Sequence, residues 1–305
     1  MKVGMIGLGD IAEKAYLPIL GVNPNIELHI ATRNPERLAR IAGQYRIANR
    51  YSDVQSLLTA GLDAAFVHSA TEAHATIVEQ LLEAGVHVYV DKPISFSLQE
   101  STHLVRLAKE KQRILMVGFN RRFAPMIRAL KEQPAANVIV MQKNRVGQPG
   151  HATTFILDDF IHVVDTLRFL LPGEVEQIVV HARAEAGQLY HVSLQLSGRN
   201  FTAIGLMNRD SGITEESLEY MASGQKWVVH DLNETLFMAD GQRQTKHFGD
   251  WTPVLHRRGF EQIITEFLQA VRDNRDPNPS AEDSLRTHEL CHEVLRQIGE
   301  QMGSK

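Results

Sequence analysis

The chain is short of cysteine: Cys291 stands alone among 305 residues. One thiol closes no intrachain disulfide, so nothing here depends on an oxidising compartment. Glycine and proline are modest too, at 21 and 11, which excludes collagen-like and low-complexity architectures. Neither charge sign dominates. Lys and Arg number 32 against 36 Asp and Glu, a formal −4, and without dense basic tracts nothing attracts nucleic acid. Long apolar runs are missing as well, since the opening one, residues 3–8, is too short for a signal segment or a membrane span. These absences predict a cytoplasmic protein that partners neither nucleic acid nor membrane. What is present, 43% apolar and 22% charged residues, suits two globular domains with substantial cores.

Over the first 118 residues, short apolar runs alternate with segments of helical period. The runs are 3–6, 26–31, 64–67, 86–90 and 114–117, with a weaker one near Tyr51; the helical segments are 35–45, 54–59, 73–84 and 97–111. Ile77, Val78, Leu81 and Leu82 share one helix face, as do Leu104, Val105 and Leu107. This alternation predicts an α/β fold with a doubly wound parallel sheet, covered on both sides. Past Gly118 the rhythm changes to a helical piece (126–132), an extended run (138–141), a helix around 159–171 and then strand after strand. In 190–196, Tyr190, Val192, Leu194 and Leu196 fall on one face and His191, Ser193 and Gln195 on the other, the period of a half-buried strand. Turn residues at 197–200 and 240–241 separate such runs. The second half is therefore expected to be α+β with an open, mainly antiparallel sheet, closed by helices at 259–271 and 282–301. The boundary falls between domains 1–119 and 120–305.

Directly after the first strand, Gly7, Leu8, Gly9, Asp10, Ile11 and Ala12 form a G-x-G-x-x-A turn. Gly7 permits the tight turn, Gly9 lets the backbone approach a pyrophosphate, and Ala12 keeps helix and strand close. Alone, the pattern also describes ordinary strand–helix turns; its place in an alternating α/β half points to a Rossmann dinucleotide site. An NAD site usually has an acid after the second strand, yet here Ala31 is followed by Thr32, Arg33 and Asn34, with no carboxylate before Glu36. Thr32 and Arg33 suit a 2′-phosphate, so NADP is expected in preference to NAD; the alternative is a solvated Arg33.

The fifth apolar run leads into Asp91, Lys92 and Pro93. Ligands of such sheets bind beyond the carboxyl ends of the strands, which lifts Lys92 above an ordinary solvated cap, and Pro93 stiffens its turn. At this point the sequence resembles the Gfo/Idh/MocA oxidoreductases, the glucose–fructose oxidoreductase and inositol dehydrogenase family. The resemblance rests on residues 7–12, 84–93, 117–123, 158–165 and 279–283, in family order across nearly the whole chain. It implies that His162 is the proton-transferring histidine, with Asp158 the carboxylate one turn earlier and Lys92 completing the catalytic set. Asp91 replaces the family's usual glutamate before Lys92, and Thr32 replaces its common acid. Candidate cofactor contacts, besides residues 7–12, Thr32 and Arg33, are Ser69, Ala70, Thr71 and His74 after the fourth strand, then Asp91, Lys92, Pro93, Asn120 and Arg122. His68 is expected to be packed; His151, in the loop before the helix of Asp158 and His162, either faces substrate or is solvated, the commoner case for such a residue.

Asp158 and His162 lie four apart and Asp165 three further on, which places all three on one helix face. One stripe on one helix rarely supplies three convergent metal ligands, so no metal is expected. An imidazole beside a carboxylate suits proton transfer to or from a carbinol oxygen, with an ammonium to stabilise the alkoxide; the alternative is an amphipathic helix whose histidine merely bonds an aspartate. Two functions remain in view. The leading one is an NAD(P)-dependent oxidoreductase acting on a sugar, polyol or related small carbonyl. The rival is a non-catalytic, dinucleotide-sensing regulator, since fold does not determine activity. Retention of Lys92, Asp158 and His162 together favours the enzyme. An open sheet with one face to cover suggests a homodimer or higher homo-oligomer through the second domain.

Overall fold

A computed structural model describes residues 1–303. They divide into two units, the first made of Met1–Gly118 and Phe260–Arg286, the second of Phe119–Gly259 and the segment from Thr287 onward.

Six strands form the sheet of the first unit: β1 (Lys2–Ile6), β2 (Glu27–Ala31), β3 (Asn49–Tyr51), β4 (Ala64–Val67), β5 (His87–Val90) and β6 (Leu115–Val117). Their order is β3-β2-β1-β4-β5-β6 and every pairing is parallel. The runs lack alternation because both sheet faces are covered: Val3, Met5, Ile30, Ala64, Phe66, Val88 and Val90 are all fully buried. Side-chain caps start the helices between them. Asn34 accepts the amide of Arg37, Asp53 that of Ser56 and Ser97 that of Glu100, each cap worth about 1 kcal/mol. The helix Phe260–Asp273 also belongs to this unit, although the sequence pattern left it with the second half. Its Phe267 ring meets Phe66 edge-on at 5.1 Å and Tyr89 at 5.6 Å, which gives the helix's apolar stripe its partner.

The second unit carries β7 (Val138–Asn144), β8 (Gln177–Glu185), β9 (Gln188–Gly198), β10 (Phe201–Asn208), β11 (Glu215–Ala222), β12 (Gln225–His230), β13 (Glu234–Ala239) and β14 (Gln242–His247). They run in the order β14-β13-β12-β11-β7-β10-β9-β8, antiparallel except between β7 and β10. The sheet is thus mixed but mainly antiparallel, as expected. Alternation in β9 holds for Val192, Leu194 and Leu196, but Tyr190 departs from it. The register slips between Arg183 and Ala184 of β8, leaving Tyr190 as the extra residue of a bulge while Leu189 turns inward. The helix Ile161–Leu170 lies on this sheet over β10. A Cβ at Gly205 would stand 2.8 Å from Val163 and 2.9 Å from Leu167, so only glycine admits the helix this closely. On the opposite face Val140, Ile204, Met221 and Leu236 stay half-exposed. Among the described residues no helix is long and apolar enough to cross a membrane.

Candidate active site

In the first unit, the turn after β1 is shaped by what its glycines omit. Gly7 sits at φ +85°, and a Cβ there would lie 2.5 Å from the Ser69 amide nitrogen, so the loop is drawn against the end of β4. A Cβ on Gly9 would meet nothing within 4 Å, which leaves its backbone open to a ligand. Helical structure begins at Asp10 and widens into a π turn over Ala12–Tyr16. The amides of that first turn have no intrahelical acceptor, the usual cradle for a phosphate. Leu8 and Ala12 are buried beneath the loop, whereas Ile11 is exposed and Asp10 pairs with Lys14 at 2.8 Å. Across the same sheet edge the Ser69 hydroxyl is buried and has no protein partner among the described residues. An open backbone, a helix start and an orphaned hydroxyl fit a dinucleotide. Thr32 follows β2 half-buried, its hydroxyl 3.4 Å from the Asn34 amide; Arg33 is exposed.

Lys92 stands half-buried after β5, between two residues that the unit holds firmly. Asp91 Oδ1 accepts the Tyr16 hydroxyl at 2.7 Å, and its Oδ2 lies 2.7 Å from His68 Nδ1. Burial tends to raise the Asp91 pKa, but His68 and the Tyr16 hydroxyl more than offset it and hold the group below the usual carboxylate range. Burial, with Asp91 alongside, pushes both the Tyr16 and Tyr89 phenols well above theirs. On the other side, His74 is buried and bridges two carbonyls, Pro93 at 2.9 Å and Ser69 at 3.0 Å. Asp91 and His74, candidates for cofactor contact on sequence grounds, therefore have their polar atoms committed to protein and rivet the turns bearing Ser69 and Lys92. Ala70 and Thr71, just before and at the start of the helix Thr71–Glu83, remain at least partly exposed. His68 is packed as expected, its ring tilted against that of Tyr16 with centroids 3.9 Å apart.

In the second unit, the helix of the sequence-predicted triad is not uniform. Phe155–Phe160 form a π turn, and Ile161–Leu170 continue as α-helix. A π turn closes on i+5, so α-helical spacing does not carry through it. Asp158 and His162 are half-buried, but Asp165 turns to the core at 1% exposure. There it takes Arg122 Nη2 at 2.6 Å and the Thr287 hydroxyl at 2.9 Å. Asp165 thus leaves the expected stripe as a structural residue, while Asp158 and His162 both stay partly exposed. Arg122, a cofactor candidate on sequence grounds, is spent on Asp165 and lies over the rings of Phe119 and Phe169; Asn120 donates to the Arg258 carbonyl at 2.8 Å.

Sequence reasoning missed the neighbouring ion cluster. Asp159 accepts from Lys143, from Arg145 at 3.1 Å and from Arg209 at 3.1 Å. Lys143 continues the inward row of Ile139 and Met141, and the Arg209 guanidinium sits 4.4 Å over the Phe155 ring. Burial first, and then Arg121, push the Lys143 ammonium down to about 7 despite Asp159. Although burial opposes it, the facing cations keep Asp159 ionised well below the ordinary range. Beside it Arg121 forks onto Glu216 at 2.6 and 2.7 Å. The available signal was Lys143 and Arg145 alternating along a strand end, which reads as a solvated face without the tertiary partner.

Residues 1–119 match an oxidoreductase family model with an NAD-binding Rossmann fold, and residues 125–240 match a YceM-like C-terminal domain. The chain is 34% identical to YceM of Salmonella typhimurium, over 97% of each chain. A crystal structure of a Gfo/Idh/MocA family oxidoreductase from Vibrio cholerae is similar with a TM-score of 0.94, at 33% identity over 99% of both chains. Myo-inositol 2-dehydrogenase of Thermotoga maritima is 22% identical over 100% of this chain and 98% of its own.

Proposed function

The chain belongs to the Gfo/Idh/MocA oxidoreductase family, and from that premise we propose that it transfers hydride between NADP(H) and a sugar, polyol or related small carbonyl compound. The observation that carries this reading is the anchoring of Lys92: its neighbours Asp91 and Pro93 are each pinned by buried groups. A lysine merely solvated at a strand end needs no such support. Preorganisation of this kind is what a charge aimed at a developing oxyanion requires.

Bound nicotinamide supplies the hydride donor or acceptor; the chain's residues must move the proton. In oxidation His162 takes the hydroxyl proton, and in reduction it returns one to the carbonyl oxygen. Asp158 orients the imidazole and favours its charged form, while Lys92 hydrogen-bonds the reacting oxygen. The amides of residues 9–12 hold the pyrophosphate, and Thr32 with Arg33 receives the 2′-phosphate, because no acid stands there to repel it. The sugar and polyol class is supported by the inositol dehydrogenase among its relatives. The half-exposed apolar face of the second sheet favours a homo-oligomer.

The test is NADPH oxidation, followed by absorbance, against aldoses, ketoses, inosose and dicarbonyls. His162→Ala should cut turnover by about 10²–10⁴-fold and leave NADPH affinity unchanged. Tight NADPH binding with no turnover across the panel would instead indicate a sensor. Wild-type rates in His162→Ala from pH 6 to 9 would refute the assigned acid–base role.

A further inference from the structure

Three cations converge on one carboxylate in the second unit. Lys143, Arg145 and Arg209 all address Asp159, and among the described residues none of the three has another acidic partner within the cluster. Glu216, the other acid that acts on Lys143, is already forked by Arg121. With Lys143 protonated, these six groups set four positive charges against two negative ones. Burial is what makes the excess matter. The Lys143 side chain is 5% exposed and Arg209 13%, so water screens little of their mutual repulsion.

We propose that Lys143, Arg145 and Arg209 form an anion site, which receives a carboxylate or phosphate group. The donors needed are present and fixed. Each guanidinium offers five N–H groups; Asp159 takes Nε and Nη2 of Arg145 and Nη2 of Arg209. Arg209 Nε is buried without a partner among the described residues, while the Phe155 ring lies under the guanidinium carbon. Arg145 is the way in: its side chain is 30% exposed, and it opens the loop in which Val146 is exposed. An arriving oxyanion offsets the surplus charge, keeps the Lys143 ammonium protonated and uses the idle donors. Asp159 adjoins Asp158 and precedes His162 by three residues on the same helical segment. Resting on the oxidoreductase reading, the substrate is therefore an acidic sugar, a hydroxy acid or a phosphate ester, held by its charged end. The anion site itself does not depend on that reading.

The experiment uses NADP-saturated protein and thermal midpoints. Inorganic phosphate, glucuronate and glucose are compared with chloride at matched ionic strength, in wild type, Arg145→Gln and Arg209→Gln. Phosphate or glucuronate should protect wild type and glucose should not; either substitution should weaken that protection about ten- to a hundredfold in concentration. If Arg209→Gln fails to fold, the more exposed Arg145→Gln carries the comparison. No oxyanion effect beyond chloride, or equal protection of wild type and variants, overturns the proposal. Protection lost in the variants without turnover of any substrate keeps the site and removes the oxidoreductase reading. Turnover of uncharged sugars, untouched by Arg145→Gln, keeps the reaction and removes the assignment of a charged substrate.

Discussion

Tyr16 donates its hydroxyl to Asp91 at 2.7 Å, and so ties the helix that follows the phosphate loop to the residue preceding Lys92. A single part-buried bond thereby links the element expected to hold the dinucleotide to the one expected to meet the substrate oxygen.

Tyr16→Phe keeps the ring packing and removes only that bond and the contact with the Tyr89 hydroxyl. The expected cost is about 1.5–3 kcal/mol, since the acceptor is charged. Asp91 has a depressed pKa in the folded state, so its contribution is complete above the unfolded value, near 3.9, and disappears as pH falls through the folded one. Urea midpoints should separate wild type and variant fully at neutral pH, and the gap should shrink in acid. A gap independent of pH would show that Tyr16 acts through packing alone.

Arg33→Ala should weaken NADPH while sparing NADH. One lost charge-assisted contact to a 2′-phosphate costs about 1.5–3 kcal/mol, or roughly ten- to a hundredfold in affinity. Fluorescence titration of both cofactors decides it; equal wild-type affinity for the two would remove the preference for NADP.

Lys143 gives a pH dependence of the same sign in a higher window. Its ammonium is released near 7 in the folded chain but only near 10.4 when unfolded. Between those values the unfolded state binds more protons, so this group makes stability rise with pH. The gain is absent below about 7. Lys143→Met should abolish that slope, leaving Asp159 with Arg145 and Arg209. Parallel denaturation profiles for both proteins from pH 6 to 9 would contradict the assignment.

Ile204→Glu places a charge in the half-exposed row that includes Val140 and Leu236. If a second copy covers this face, sedimentation should show wild-type oligomers and variant monomers, with the fold unchanged by circular dichroism. A wild-type monomer at micromolar concentration would defeat the assembly proposal.

The parallel sheet was legible because short apolar runs such as 64–67 and 114–117, alternating with segments of helical period, suit strands buried on both faces. Gly7 and Gly9 were legible because their chemistry is local. His74 was not: nothing in its surroundings along the chain reveals that it bridges Ser69 and Pro93. Nor was Asp165, because its spacing from His162 does not reveal that Arg122 and Thr287 hold it in the core. Tyr190 was misplaced because a one-residue bulge inverts the alternation beyond it. Lys143 and Asp159 are sixteen positions apart, on a strand and a helical turn. Pairings of that kind appear only once the chain is packed.

Gly205 lets the helix Ile161–Leu170 sit low on the sheet. The height of that helix, and with it the elevation of His162, is therefore set by an atom that does not exist. Adding one methyl group at position 205 would act as a shim, lifting a side chain proposed for proton transfer without touching it. Such a site lets reactivity be tuned from underneath, by a residue that never meets substrate, cofactor or solvent.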